Sequence, residues 1–282
     1  MTKFSFKKLT YIILISGFVF VGFGLTNQAH ATIIQGAVTG NAAADLVVGT
    51  ADVDYNVSFG TAVTSTAQTI TVTLPSGYTI TNGTIGTGTA TSTTAVCNSG
   101  CTQGAQISVN GINRAVNDVA GSSASRTITV TLVNPVDLSV GTTTFRLLRG
   151  VTNATTSGAT ATSSITTNAT GETAQTNIAG VTLTPGTATQ LVFTTQPAPA
   201  TATSGVALVT QPVVTARDTF GNTATGFVET ITATEASAGT LANNTSTAVS
   251  GVATFYGLTY TANADQESFT LTAKFHDNPP LR

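Results

Sequence analysis

From Ala51 to Phe59 the chain alternates: Val53, Tyr55, Val57 and Phe59 fall on one side of an extended strand, and Asp52, Asp54, Asn56 and Ser58 on the other. That is the period of two expected of a strand with one face buried. The pattern recurs at Ile70, Val72 and Leu74 between Thr69, Thr71 and Thr73, and at Ile128, Val130 and Leu132 between Thr127, Thr129 and Thr131. Thr is β-branched and carries a hydroxyl, so it favours extended backbone and tolerates water on the outer face. Pro75-Ser76-Gly77, Asn82-Gly83 and Asn110-Gly111 are turn sequences, and the last, flanked by Ile107, Val109 and Ile112, predicts a two-residue hairpin. No window past the first thirty residues shows sustained helical spacing of apolar side chains. The expected fold class is all-β, and short strands with regular turns predict β-sandwiches.

Residues 152–176 are almost all small and polar, with Ile165 the one large apolar side chain. They read as a long loop, followed by closing strands around Ile178, Val181 and Leu183 before Pro185-Gly186. A first sandwich is therefore expected over 32–186. A second, over 187–276, restarts at Leu191-Val192-Phe193 and contains Val213–Ala216, Phe227–Ala233, Val252–Phe255 and an alternating run at Phe269, Leu271, Ala273 and Phe275. Its length is that of one immunoglobulin-like sandwich. Residues 277–282 are a tail, where a longer repeat chain would be cut.

Ahead of both sandwiches, Lys3, Lys7 and Lys8 precede an apolar run from Tyr11 to Leu25, and Ala29-His30-Ala31 follows. This is the order of a signal peptide, 1–31, with cleavage expected after Ala31. The run is about fifteen residues, shorter than the roughly twenty of a spanning helix. No comparable stretch follows, so no membrane span is expected after cleavage.

Composition sharpens the picture by what it lacks. Charged residues make up 8% of the chain against an average of about 25%, while about sixty residues are Thr. Loss of the signal segment leaves seven basic against twelve acidic side chains and a single His. The acidic balance argues against nucleic acid as a partner. His276 lies at the last position before the tail, where the rigid positioning of catalysis is hard to build. Cys97 and Cys101, in an exported chain, are expected to close a short disulfide loop. Their spacing is not that of a redox or zinc motif.

The remaining candidates are carboxylates. Asp218, beside Gly221 and Asn222, offers oxygen ligands to calcium, or equally organises a turn. Asp52 and Asp54, on one strand face about 7 Å apart, would bind calcium if a loop such as that at Asp45 crossed over them. They also match the carboxylate spacing of a glycosidase, but without an aromatic-lined cleft to hold sugar. No other cofactor is expected. The Thr-x-Thr pairs suggest a surface matched to a crystal lattice, but their irregular intervals assign them to separate hairpins instead. The sequons at Asn56, Asn82, Asn153, Asn168 and Asn243 are what an Asn- and Thr-rich chain yields by chance.

Leu191-Val-Phe-Thr-Thr-Gln-Pro197, Gln211-Pro-Val-Val-Thr-Ala-Arg-Asp218, Phe220-Gly221-Asn222, Gly239-Thr-Leu241, Gly251-Val-Ala-Thr-Phe255 and Gly257-Leu258 together resemble the Ig-like repeats of bacterial cell-surface proteins, in the broad sense that includes invasin and intimin. The resemblance spans most of 189–275. The first domain resembles another bacterial surface module through Val57-Ser-Phe59, Ile70-Thr-Val-Thr-Leu-Pro-Ser-Gly-Tyr78, Ile128-Thr-Val-Thr-Leu132 and Gly150-Val-Thr-Asn153, with Ala154 where such modules commonly carry Pro. The resemblance implies a stalk or adhesive module outside the cell and no catalytic residues. The expected function is a non-enzymatic, secreted or surface-displayed structural or adhesive module. Its expected partner is a surface protein or a glycan, reached through the loops. A secreted carbohydrate-binding module is the alternative. The third reading is a fragment of a larger surface fibre or extracellular hydrolase.

Overall fold

The computed structural model describes residues 32–275 apart from 62–64, 82, 89–103, 110, 115, 139–141, 149 and 200. The proposed signal peptide with Ala31, the Cys97/Cys101 pair, His276 and Asn82 lie outside the described residues. What is described is all-β, with one short 3₁₀ turn at Ala43–Leu46.

Two sheets face one another in the first part of the chain. In the five-stranded sheet Ile33–Gly40 lies beside Tyr55–Thr61, followed by Thr142–Leu148, Gly104–Val109 and Ile112–Arg114. The six-stranded sheet runs Gln175–Ile178, Ser163–Thr167, Ser65–Thr73, Thr127–Leu138, Val116–Ser122 and Gly83–Gly88. Every ladder in the two sheets is antiparallel. Tyr55, Val57 and Phe59 from one sheet and Ile70, Val72, Ile128, Val130 and Leu132 from the other are buried in one shared cluster. The alternation seen in the sequence is thus the inward face of a sandwich-like packing, open at its sheet edges.

Val109 pairs with Ile112 across the expected hairpin, and Gly111 takes φ +78°. The first alternating run departs from expectation at its start. Asp52 sits in a bend with φ +54° and the strand begins only at Tyr55. Val53 is buried all the same, just after the bend, with its N–H donating to Val151 O. Asp52 and Asp54 therefore do not share a strand face.

The polar stretch 152–176 is not all loop. Ser163–Thr167 is an interior strand of the six-stranded sheet, with Ile165 opposite Val72 and buried. A strand needs only enough apolar surface for its inward positions, and one Ile at the centre of a five-residue strand suffices when Thr and Ser occupy the rest. Asn168 at its end accepts the Gln68 and Thr69 N–H groups at 2.8 and 2.9 Å. Those donors lie where the register of the neighbouring ladder shifts.

The Thr runs also meet where separate hairpins had been expected. Thr69, Thr71 and Thr73 lie opposite Thr131, Thr129 and Thr127 on adjacent strands, and the Thr71 and Thr129 hydroxyls are 3.0 Å apart. Sequence intervals do not reveal this, because the strands are brought together by a connection of more than fifty residues.

A second, separate cluster gathers Leu208, Val214, Ile231, Ala233, Ala253, Phe255 and Leu258. It lies between the sheet formed by Gln190–Thr195, Val213–Arg217 and Val252–Thr254 and the sheet formed by Thr245–Thr247, Thr230–Thr234 and Thr272–Phe275. Phe227 and Phe269, expected in strands, lie just outside them. Phe227 meets Phe275 edge-on at 5.1 Å, and Phe269 stacks on Tyr260 at 3.9 Å. Aromatic rings at strand ends cover the core rim that short strands leave open.

Candidate functional site

Among the described residues the most densely bonded carboxylate is that of Asp218, which is 1% exposed. It follows the Val213–Arg217 strand and opens a tight loop through Phe220, Gly221 (φ +87°) and Asn222. Its Oδ1 accepts the Phe220 and Asn222 N–H groups, each at 2.9 Å, and its Oδ2 accepts the Gly186 N–H at 3.0 Å and the Asn222 amide at 3.0 Å. Burial acts to raise its pKa, but these donors outweigh it and hold the carboxyl below its ordinary value of 3.8. A carboxylate ringed by N–H donors is an organiser of a turn. Arg217 completes the loop, donating from Nη1 to Gly221 O at 3.1 Å.

Asn222 carries the loop across to the first packing unit. Its Oδ1 accepts the Ser157 N–H at 3.0 Å, and its Nδ2 donates to Thr155 O at 2.8 Å. Phe220, 47% exposed, lies over Gly49, where an added Cβ would stand 2.2 Å from the ring. Gly49 (φ +64°) donates to Ala154 O at 3.0 Å, so receiver and neighbouring strand end are themselves laced together.

The candidate residues of the first unit serve its backbone. Asp52, exposed, accepts the Gly150 N–H at 3.2 Å, and Asp45 accepts the Ala42 N–H at 2.9 Å, closing the 3₁₀ turn. Asp54 is half-buried and accepts the Asn41 N–H through its carbonyl. Among the described residues no group of three or more His, Cys, Asp or Glu is placed to hold a metal ion. Nor is any helix among them long and apolar enough to cross a membrane.

One network escaped the sequence reading. Asn153, 2% exposed, accepts the Tyr55 hydroxyl at 2.6 Å and donates to Asp45 O and Val47 O at 2.8 and 2.7 Å. The Tyr78 hydroxyl stands 3.2 Å from that of Tyr55. Because Tyr55 gives its one proton to Asn153, Tyr78 is the donor of that pair. Burial pushes the Tyr55 phenol far above its usual range, so it stays protonated. Burial also removes Asn153 from the accessible sequons. Its presence in the quoted Gly150-Val-Thr-Asn153 motif was the available signal.

At the far end of the second unit Ser237 bonds to Glu235 and, at 2.6 Å, to Tyr260. Glu267 accepts the Ala238 and Asn263 N–H groups at 2.9 and 2.7 Å. Gly239 has no room for a Cβ against the Tyr260 ring. This knot too fixes loops. Two surface features carry no such duty. A shallow groove of about 400 Å³ is lined by Pro185, Ala188, Phe227, Val228 and Phe275 beside the joint. Tyr256, 79% exposed, stands on the loop that faces Val209, 86% exposed.

No family model matches the chain, and no curated protein matches it. Among solved structures it is similar to BslA, a bacterial hydrophobin, at 15% identity over 56% of this chain and 96% of that one, with a TM-score of 0.31. It is also similar to the structure of manganese lipoxygenase of Gaeumannomyces graminis with partial zonadhesin of Komagataella pastoris, at 11% identity over 86% and 92%, TM-score 0.28. A third is the N-terminal part of the bacterial S-layer protein SbsC, at 14% identity over 89% and 42%, TM-score 0.20. These scores are too low to define a common fold.

Proposed function

We propose that the chain is an exported, non-enzymatic surface module: two immunoglobulin-like sandwiches behind a cleaved signal peptide, related in kind to the repeats of bacterial surface proteins and serving a structural or adhesive role. The observation that carries this reading is where the polar chemistry goes. Asp218, Asn222, Asn153 and Tyr55 direct their polar atoms at backbone and at one another, which suits a scaffold. The first test is digestion of intact cells with an added protease. Loss of the protein from the cells, with a cytoplasmic marker spared, is the expected result; full protection until lysis refutes surface display.

A second reading, binding of an uncharged polysaccharide, is favoured by Tyr256. An exposed ring, on one of two bonded loops, 205–211 and 255–259, that hold no ionisable group besides tyrosine, offers a flat apolar platform to a sugar face. Pull-down on insoluble glycans is expected to fall below detection for Tyr256→Ala. Equal retention of wild type and variant, or no retention of wild type, removes this reading.

A further inference from the structure

We infer that the second unit is a latched head: it is fixed on the first unit by the Phe220–Asn222 loop, and because its chain enters and leaves at that joint, its opposite end is the one displayed.

The latch has an apolar and a polar half. Phe220 covers Gly49, and Asn222 grips Thr155 O and the Ser157 N–H. Asp218 sets both, since its oxygens hold the N–H groups of Phe220 and Asn222 and orient the Asn222 amide. Asp218 also fastens Gly186, in the segment that connects the units. A flexible tether would need none of these bonds; a connection bonded through both its covalent segment and a side loop resists bending and twisting.

The direction of the strands settles which end is free. Gln190 pairs with Arg217 next to the joint, and Thr195 pairs with Val213 away from it. Val252 to Thr254 then runs outward again beside Thr215 to Val213. Thr230 pairs with Thr247, and Ile231 with Phe275, whereas Thr234 pairs with Thr272. Phe275 also lines the groove shared with Pro185, Gly186, Thr187 and Ala188. The last strand therefore returns to the joint. In a sandwich strung end to end, entry and exit lie at opposite ends; here both lie at one. The far end holds Val206, Val209 and Tyr256, all exposed. Gln211 braces it, donating to Leu208 O at 2.7 Å and accepting the Leu258 N–H at 2.7 Å, and Asn243 donates to Gly257 O at 2.9 Å.

The test is amide relaxation by NMR on the full mature chain. Wild type is expected to fit one common tumbling tensor, and Phe220→Ala with Asn222→Ala to fit two, with the amide spectrum of each unit retained. Gly49→Ala, which displaces the ring from the first unit's side, is expected to act in the same direction and serves if the double variant does not fold. Independent tumbling in wild type overturns the latch, as does a common tensor that survives in folded variants. For the head orientation, spin labels are placed at positions 187 and 274, or 187 and 209, in chains with Cys97 and Cys101 replaced by Ser. The first pair is expected to be much closer than the second; equal distances, or the reverse order, overturn it.

Discussion

Asp218→Ala is expected to destabilise the second unit by on the order of 3 kcal/mol. The backbone N–H groups of Gly186, Phe220 and Asn222 lose their acceptor together with the Asn222 amide. Each buried donor left without a partner costs about 1–3 kcal/mol, less whatever water recovers. The pH dependence has a definite sign. Because the folded carboxyl is held below 3.8, its stabilisation is fully present above the ordinary carboxylate range and is lost as pH falls through the depressed value. Arg217 is the charged neighbour on the same loop, and segments 154–157 and 185–188 contribute no ionisable side chain. The gap between wild type and variant, measured by urea unfolding, should therefore be constant from pH 7 to about 5 and narrow below about 4. A gap that widens on acidification would contradict this account of the carboxylate.

Asn153→Ala is expected to cost the first unit a similar amount, on the order of 3 kcal/mol, because it strands the buried Tyr55 hydroxyl and the half-buried carbonyls of Asp45 and Val47. Tyr55→Phe should cost less, about 2 kcal/mol, since it removes the bond to Asn153 and the one from Tyr78 but leaves the two Asn153 donations in place. Denaturant unfolding with unchanged m-values checks both. If the two variants are equally damaged, the carbonyl contacts of Asn153 contribute nothing measurable. Amide exchange should locate the difference. In Asn153→Ala the protection of Val48 and Gly49, whose N–H groups donate to Thr184 O and Ala154 O, is expected to drop before that of the Ile70 and Ile128 strands.

Much of the all-β reading was legible because period two is a local property. Val57, Phe59, Ile70, Val72, Ile128 and Val130 alternate with polar residues, and each is buried; strand pairing hardly alters which side of a strand is apolar. The misreadings occurred where long-range partners overrule local pattern. Ser163–Thr167 looks like linker and is an interior strand, because the neighbouring Ser65–Thr73 strand supplies the ladder it needs. Asp52 looks like the outer face of a strand and lies in a bend at positive φ. The candidate carboxylates were legible as residues but not as roles: Asp218 stands out in the sequence as an Asp before Phe-Gly-Asn, yet the donors from Gly186 and the reach of Asn222 to Thr155 cross 32 and 67 residues.

By itself the sequence determined the all-β class, the inward residues of the alternating strands, and the turns at Gly77 and Gly111. These follow from short-range chemistry: side-chain alternation, β-branching and the tolerance of Gly for positive φ. Only the tertiary structure decided that the Thr runs lie side by side, that Asn153 is an interior clasp, that Asp218 and Asn222 join two units, and that the chain returns to the joint. Each of these depends on which distant backbone groups come within about 3 Å. Hydrogen bonds select partners at that range only after the strands have been placed, and local pattern does not encode their placement.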